Sequence, residues 1–279
     1  MNQKNNWLAN AYLMLVFIVL YTPILFLVVY SFNAGGTMNH FTRFTIEHYI
    51  NVFHDTRLIL IVLDTLIVAI LSATIATIIG TLGSLLIYEL RNRRYREVIL
   101  NLNNVLMVSP DVIIGASLLI LFTVLGFQLG FYSVLLAHVA FNVPIVVIMV
   151  LPRLDEMNPS LITAARDLGA TPRDVLRHIT LPLVMPGILS GFFMAFTYSL
   201  DDFAVTFFVT GNGFTTLSVE IFSRARRGVS LEVNALSTLI FLLSFVLIIG
   251  YHVINQQHLK RLNVMKQRSR LEEMPGGDD

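Results

Sequence analysis

Two adjacent carboxylates in an otherwise apolar stretch, Asp201 and Asp202 in FTYSLDDFAVTFF, are where this chain could do chemistry. A charged acid at the centre of a membrane helix costs about 2.5–3.5 kcal/mol on the insertion scale, so it needs a reason to be there. Thr197 and Asp201, Tyr198 and Asp202, and Asp202 and Thr206 are each four residues apart. On a helix that spacing puts acids, hydroxyls and an aromatic ring on one polar face. The face suits a cationic guest, through ion pairing and through the ring's attraction for an ammonium group. The alternative is that the pair caps a broken helix or binds an arginine of a neighbouring chain. Asp111 follows Ser109 and Pro110 in VSPDVIIGAS, a sequence that loosens a helix and frees backbone groups to face a cavity. Contact with a guest and capping of the break are both open to it. Asp64, beside Thr65 in VLDTLIVA, reads as structural.

The elements that must carry these residues are membrane helices. Hydrophobic residues make up 55% of the 279 and charged residues 13%, against about a quarter charged in an ordinary soluble domain. The mean hydropathy is +0.72. Six segments, near 8–32, 58–89, 102–126, 131–151, 183–209 and 236–256, reach the roughly 20 helical residues that a hydrocarbon core requires. The expected fold is all-α, with one six-span domain over 1–260 and a polar cytoplasmic tail over 261–279. No small-residue cleavage pattern follows the first segment, which reads as a retained span. Ala69, Ser72, Ala73, Ala76, Gly80 and Gly83 form small-residue stripes that let helices pack closely.

Several chemistries are excluded. With no cysteine there are no disulfides, thiolate metal sites or cysteine nucleophiles, and the seven histidines contain no H-x-x-x-H pair. No G-x-x-x-x-G-K-[ST] loop is present to hold a nucleotide phosphate. Nothing points to nucleic acid. If the N-terminus is cytoplasmic, the inner segments hold fourteen of the nineteen Lys and Arg residues, around Lys4, Arg91–Arg96, Arg153–Arg177 and Lys260–Arg270. The outer segments hold Arg43, Arg57, Arg224, Arg226 and Arg227. The positive-inside rule then places both termini in the cytoplasm. The RNRRYRE loop reads as a topological anchor. The outer cluster of Arg224, Arg226 and Arg227 runs against the rule and could dock an acidic partner or form a solvated loop.

The charged loop between the fourth and fifth spans carries its own helix signals. Asn158, Pro159 and Ser160 can start a helix, Gly169 can end it, and Thr171, Pro172 and Asp174 supply a second N-cap, first-turn proline and capping acid. Two short helices, 160–168 and 172–179, are expected. Its residues resemble the cytoplasmic EAA loop of the membrane subunits of bacterial ATP-binding-cassette (ABC) importers: E-A-A, three residues, G, nine residues, I, then L-P. Ala164, Ala165, Gly169, Ile179, Leu181 and Pro182 occupy the matching positions, and Thr163 stands where the pattern has its acid.

Beyond that loop, YSLDDFAVTFFVTG, the SPD of the third span and the six-span layout resemble the polyamine importer permeases, from about Trp7 to Asn263. The resemblance implies a type I importer (MetI-like) permease fold in a bacterial plasma membrane, carrying spermidine or putrescine. It implies two ATPase subunits that hold ATP and Mg, a second and different membrane subunit, and an extracytoplasmic binding protein that docks on outer loops including 33–57 and 210–235. Loop 158–182 would couple to the ATPase through Thr163, Ala164, Ala165, Gly169, Pro172, Ile179 and Pro182. Asp111, Tyr198, Ser199, Asp201 and Asp202 would line the substrate path. The chain would be a transporter subunit and not itself an enzyme. Other readings are an ABC permease for another organic cation, iron or thiamine, or an ion-coupled secondary transporter, although no internal repeat supports the last.

Overall fold

Long runs of Leu, Ile, Val and Ala become long helices because, without water, a backbone can satisfy its own polar groups only within such a helix or a closed barrel. The computed structural model describes residues 6–36, 38–226, 231–242 and 245. Among these the elements are α1 (Asn6–Tyr30), α2 (Glu47–His54), α3 (Thr56–Glu89), α4 (Arg93–Val108), α5 (Asp111–Val124) and α6 (Phe131–Asp155). They continue with α7 (Pro159–Asp167), α8 (Pro172–Val175), α9 (Leu181–Asp201), α10 (Ala204–Val209), α11 (Leu217–Arg226) and a last helix, α12 (Leu231–Leu242). The described residues contain no named strand, only an isolated bridge between Asn33 and Phe44.

Among the described residues four helices, Trp7–Tyr30, α3, α6 and the continuous Pro172–Asp201, are long and apolar enough to cross a membrane. The expected third span, 102–126, is not one straight helix: it is divided between α4 and α5, which are bent by 103° at the break. Pro110 has no N–H to continue the ladder and drives Ser109 into an extended conformation (φ −67°, ψ 137°). Ser109 Oγ turns back to donate to Val105 O at 2.6 Å. The expected fifth span, 183–209, is also interrupted, with α9 ending at Asp201 and α10 starting at Ala204. The sixth, 236–256, begins within α12 and otherwise lies almost wholly outside the described residues, as does the whole tail 261–279.

Residues Thr56–Ser223 form one compact unit. At its centre α3, α6 and α9 pack on one another around Ala73, Ala76, Val146, Val150, Val184 and Ala195. Ala69, Ser72, Ala73, Ala76 and Gly80 of the stripe are all buried. Gly83 departs from that expectation, having nothing within 4 Å of where its Cβ would be. A second cluster, with Val68, Phe122, Val134, Ala137, Val205 and Val209, brings α5 and α10 against α6. Gly115 makes that fit possible, since a Cβ there would lie 3.0 Å from Val205 Cα. Arg96 of the RNRRYRE loop ties α4 to the end of α6 by two bonds to Asp155, at 2.9 and 2.7 Å.

The other unit comprises the described parts of 1–55 and 224–279. Buried Asn33 organises its loop: Oδ1 accepts from Thr42 N at 2.8 Å and Nδ2 donates to His40 O at 2.9 Å. Arg224 is held within the chain, 3.0 Å from Asp55 and 3.9 Å from Glu232. That pairing takes it out of the cluster expected either to dock an acidic partner or to lie in solvent, and Arg227 lies outside the described residues.

Candidate functional site

Both helix breaks open on the same place. Asp111 at the start of α5, Phe141 on α6, Tyr198 and Asp201 at the end of α9, and Asp202, Phe203, Ala204 and Val205 across the second break line one cleft of about 440 Å³. That volume is in the range of small-molecule sites. Asp111, Tyr198 and Asp201 are exposed. The cleft therefore gathers residues from positions 111 to 205, with carboxylates and three aromatic rings on its walls. Asp64 is half-buried on α3 and is not among its lining residues.

Asp202 and Ser199 sit differently from the expectation of one continuous polar face. The helix stops at Asp201, and Asp202 turns extended (φ −60°, ψ 120°). Its carboxylate then accepts from Val205 N at 3.3 Å, Thr206 N at 2.8 Å and Thr206 Oγ1 at 2.7 Å. It caps the helix that restarts, as an N-cap acid does. Ser199 does not line the cleft. It is 1% exposed and faces inward, because on a helix a position one residue from Tyr198 and two from Asp201 points away from theirs. There Ser199 Oγ lies 2.7 Å from Ser72 Oγ, 2.8 Å from His138 Nδ1 and 3.0 Å from Asn142 Nδ2. His138 Nε2 lies 2.8 Å from Thr206 Oγ1 and 3.5 Å from Asp202 Oδ2.

The sequence reading missed His138, Asn142 and Ser72 as members of a buried polar chain. The signal was present in HVAFN: His138 and Asn142 are four apart in an apolar span, and buried polar side chains need partners. Among the described residues no cluster of three or more metal-ligating side chains occurs.

At the charged loop, α7 opens on Asn158, whose side chain accepts from Ser160 N at 3.0 Å, with Pro159 in the first turn. It closes on Gly169, whose φ of +86° is a left-handed conformation that favours glycine, while Ala170 N reaches Ala165 O at 3.0 Å. Thr171 and Asp174 form a reciprocal capping box. The Thr171 hydroxyl bond first and then its amide bond, with a lesser contribution from nearby His178, hold the Asp174 carboxyl below its ordinary range against an opposing desolvation.

The second loop helix does not end at 179. It passes from α8 through a π-helical turn, Leu176–Thr180, directly into α9. Pro182 lacks the N–H that would bond His178 O, and the wider turn, with Leu181 N on Leu176 O, accommodates the missing donor. Thr163, Ala164, Gly169, Pro172 and Pro182 are exposed; Ala165 and Ile179 are half-buried. The Thr163 hydroxyl donates back to Pro159 O at 3.3 Å.

The family described as binding-protein-dependent transport system inner membrane component matches residues 79–263. The chain is 38% identical over 252 residues to the spermidine/putrescine transport system permease protein PotC of Haemophilus influenzae, covering 90% of this chain and 98% of that protein. It is 39% identical over 245 residues to the putrescine transport system permease protein PotI of Escherichia coli, covering 86% of each. Among solved structures, a bacterial ABC transporter involved in the import of the acidic polysaccharide alginate shares the fold, with a TM-score of 0.68 at 19% identity over 92% of this chain and 96% of that one. The apolar helices, their two breaks, the paired-helix loop and these likenesses lead to one assignment: the chain belongs to the family of inner membrane components of binding-protein-dependent transport systems.

Proposed function

We propose that this chain is the polyamine-translocating permease subunit of an ATP-driven importer, with spermidine or putrescine as cargo. The observation that carries this reading is the convergence of Asp111, Tyr198 and Asp201 on one cleft walled by Phe141 and Phe203. Carboxylates neutralise ammonium groups, aromatic faces attract them, and apolar walls accommodate the methylene chain. The relatives' names support the same cargo.

The chain's six spans over 1–260 have both termini in the cytoplasm, and the exposed loop 158–182 faces an ATPase. An extracytoplasmic binding protein delivers cargo to the outer loops. Two ATPase subunits hold ATP and Mg and hydrolyse the nucleotide, because this sequence has no phosphate loop. A second, different membrane subunit completes the path. Closure of the ATPases pushes α7 and α8. Because α8 runs through the π turn into α9, which ends at Asp201, the push reaches the cleft along one continuous helix. Thr163, Ala164, Ala165, Gly169, Pro172, Ile179 and Pro182 form the coupling surface.

The test is uptake of labelled spermidine and putrescine by proteoliposomes holding the whole transporter and its binding protein. Uptake that requires ATP and is competed by the other polyamine is expected. ATP-driven uptake of thiamine or iron with no polyamine uptake would overturn the cargo, and uptake driven by a proton or sodium gradient without ATP would overturn the class.

A further inference from the structure

Asp202 is the acid in the cleft whose oxygens are already used. Thr206 N and Oγ1 and Val205 N all donate to it, and its side chain is only 9% exposed. The bonds behind it run one way. A carboxylate has no proton to give, so the single Thr206 hydroxyl proton goes to Asp202, and the Thr206 oxygen accepts from His138 Nε2–H. In a neutral ring Nδ1 is then an acceptor and takes the Ser199 hydroxyl proton. Ser199 in turn accepts from Asn142 Nδ2 and Ser72 Oγ. The chain joins α3, α9, α6 and α10 where the fifth span breaks.

A guest ammonium bound at Asp202 would compete with donors that have nowhere else to go, and a buried unpaired polar group is costly. Asp111 and Asp201 are placed otherwise: both are exposed, and among the described residues neither carries an ion pair or hydrogen bond to another side chain.

We propose that Asp202 and His138 are positioning residues, a locked cap that sets the break in the fifth span, and that Asp111 and Asp201 alone present charge to the ammonium groups of the cargo. This inference rests on the polyamine reading of the cleft. Its test separates an acid needed for charge from one needed as a hydrogen-bond acceptor. Asn caps a helix as well as Asp does but carries no charge.

In proteoliposomes of the complete transporter, KM and maximal rate for spermidine and putrescine are measured beside the melting temperature of the purified complex. Asp202→Ala is expected to lower the melting temperature and the maximal rate, and Asp202→Asn to restore most of both. His138→Gln, which keeps a donor for Thr206, is expected to recover most of the loss seen in His138→Leu. At Asp111 and Asp201 no such rescue is expected: Asn and Ala alike raise KM about tenfold, with the melting temperature held. A rise in KM for Asp202→Asn equal to that for Asp201→Asn, at normal melting temperature, would overturn the proposal and leave the cleft as the cargo site. Unchanged KM in the Asp111 and Asp201 variants would remove the cleft as the cargo site and the proposal with it, whereas loss of polyamine uptake from the unaltered transporter would remove the polyamine reading itself.

Discussion

Gly80 of α3 approaches α6 so closely that a Cβ on it would lie 2.7 Å from both Cβ and Cγ1 of Val146 and 3.1 Å from Val143 O. Gly80→Ala must push the two helices apart, at a cost of about 1–3 kcal/mol for overpacking. Gly83→Ala, one turn on and in open space, replaces a flexible helix residue and is worth about 0.5–1 kcal/mol in the other direction. Thermal unfolding in detergent should give shifts of opposite sign; equal shifts would refute the packing account.

Gly169 sits in open space, so its constraint is its left-handed backbone alone. A branched side chain there costs about 1–2 kcal/mol and disturbs the turn between α7 and α8, whereas Asn tolerates the conformation. Gly169→Val should cut ATP-driven uptake several-fold and weaken co-purification with the ATPase, and Gly169→Asn should keep most of both. Normal uptake by the Val variant would count against a coupling role for the turn.

Asp174 links the same turn to pH. Its carboxyl titrates lower in the folded loop than in an unfolded chain because Thr171 donates to its ionised form. The stabilising contribution is therefore complete above the ordinary carboxylate value, including at neutral pH, and is lost as pH falls through the depressed value. Carboxyl-carbon NMR should show Asp174 moving up toward its ordinary range in Thr171→Val. An unmoved titration would assign the depression to some other group.

Arg96 and Asp155 test how much a pair in which Nη2 bonds both carboxylate oxygens contributes at the end of α6. Their side chains are 32% and 46% exposed, so solvent screens them, and a double-mutant cycle should give a coupling of about 1 kcal/mol or less. Arg96→Lys should keep a good part of it, because one guanidinium nitrogen, Nη2, makes both bonds and a single ammonium can do the same. A coupling well above that would mean the pair is shielded in the assembled transporter.

The readings that followed from local chemistry were close to what the chain adopts. Asn158–Pro159 begin α7, Gly169 ends it, and Thr171–Asp174 cap α8, since each of these signals acts within about four residues. Uninterrupted apolar runs became α1, α3 and α6 for the same reason. The breaks were half visible: Ser109–Pro110 announced loosening but not a 103° turn, and LDDF allowed a capped helix break as one of two readings without deciding between them.

What composition and spacing dictate here is the membrane class, the apolar runs that become spans, the paired-helix loop and the presence of acids that need partners. Which acid has which surroundings depends in part on side chains more than 60 positions away in the chain: Asp202, besides its neighbour Thr206, lies 3.5 Å from His138, while Asp111 and Asp201 line the same cleft. The period of a helix places Ser199 and Asp202 relative to Tyr198, but it cannot say that the helix stops between Asp201 and Asp202. That stop is favourable because α6 supplies His138, and α10 supplies the amides that the turned carboxylate caps. The cap on α10 is local, but the approach of His138 exists only once α6 has packed against the break.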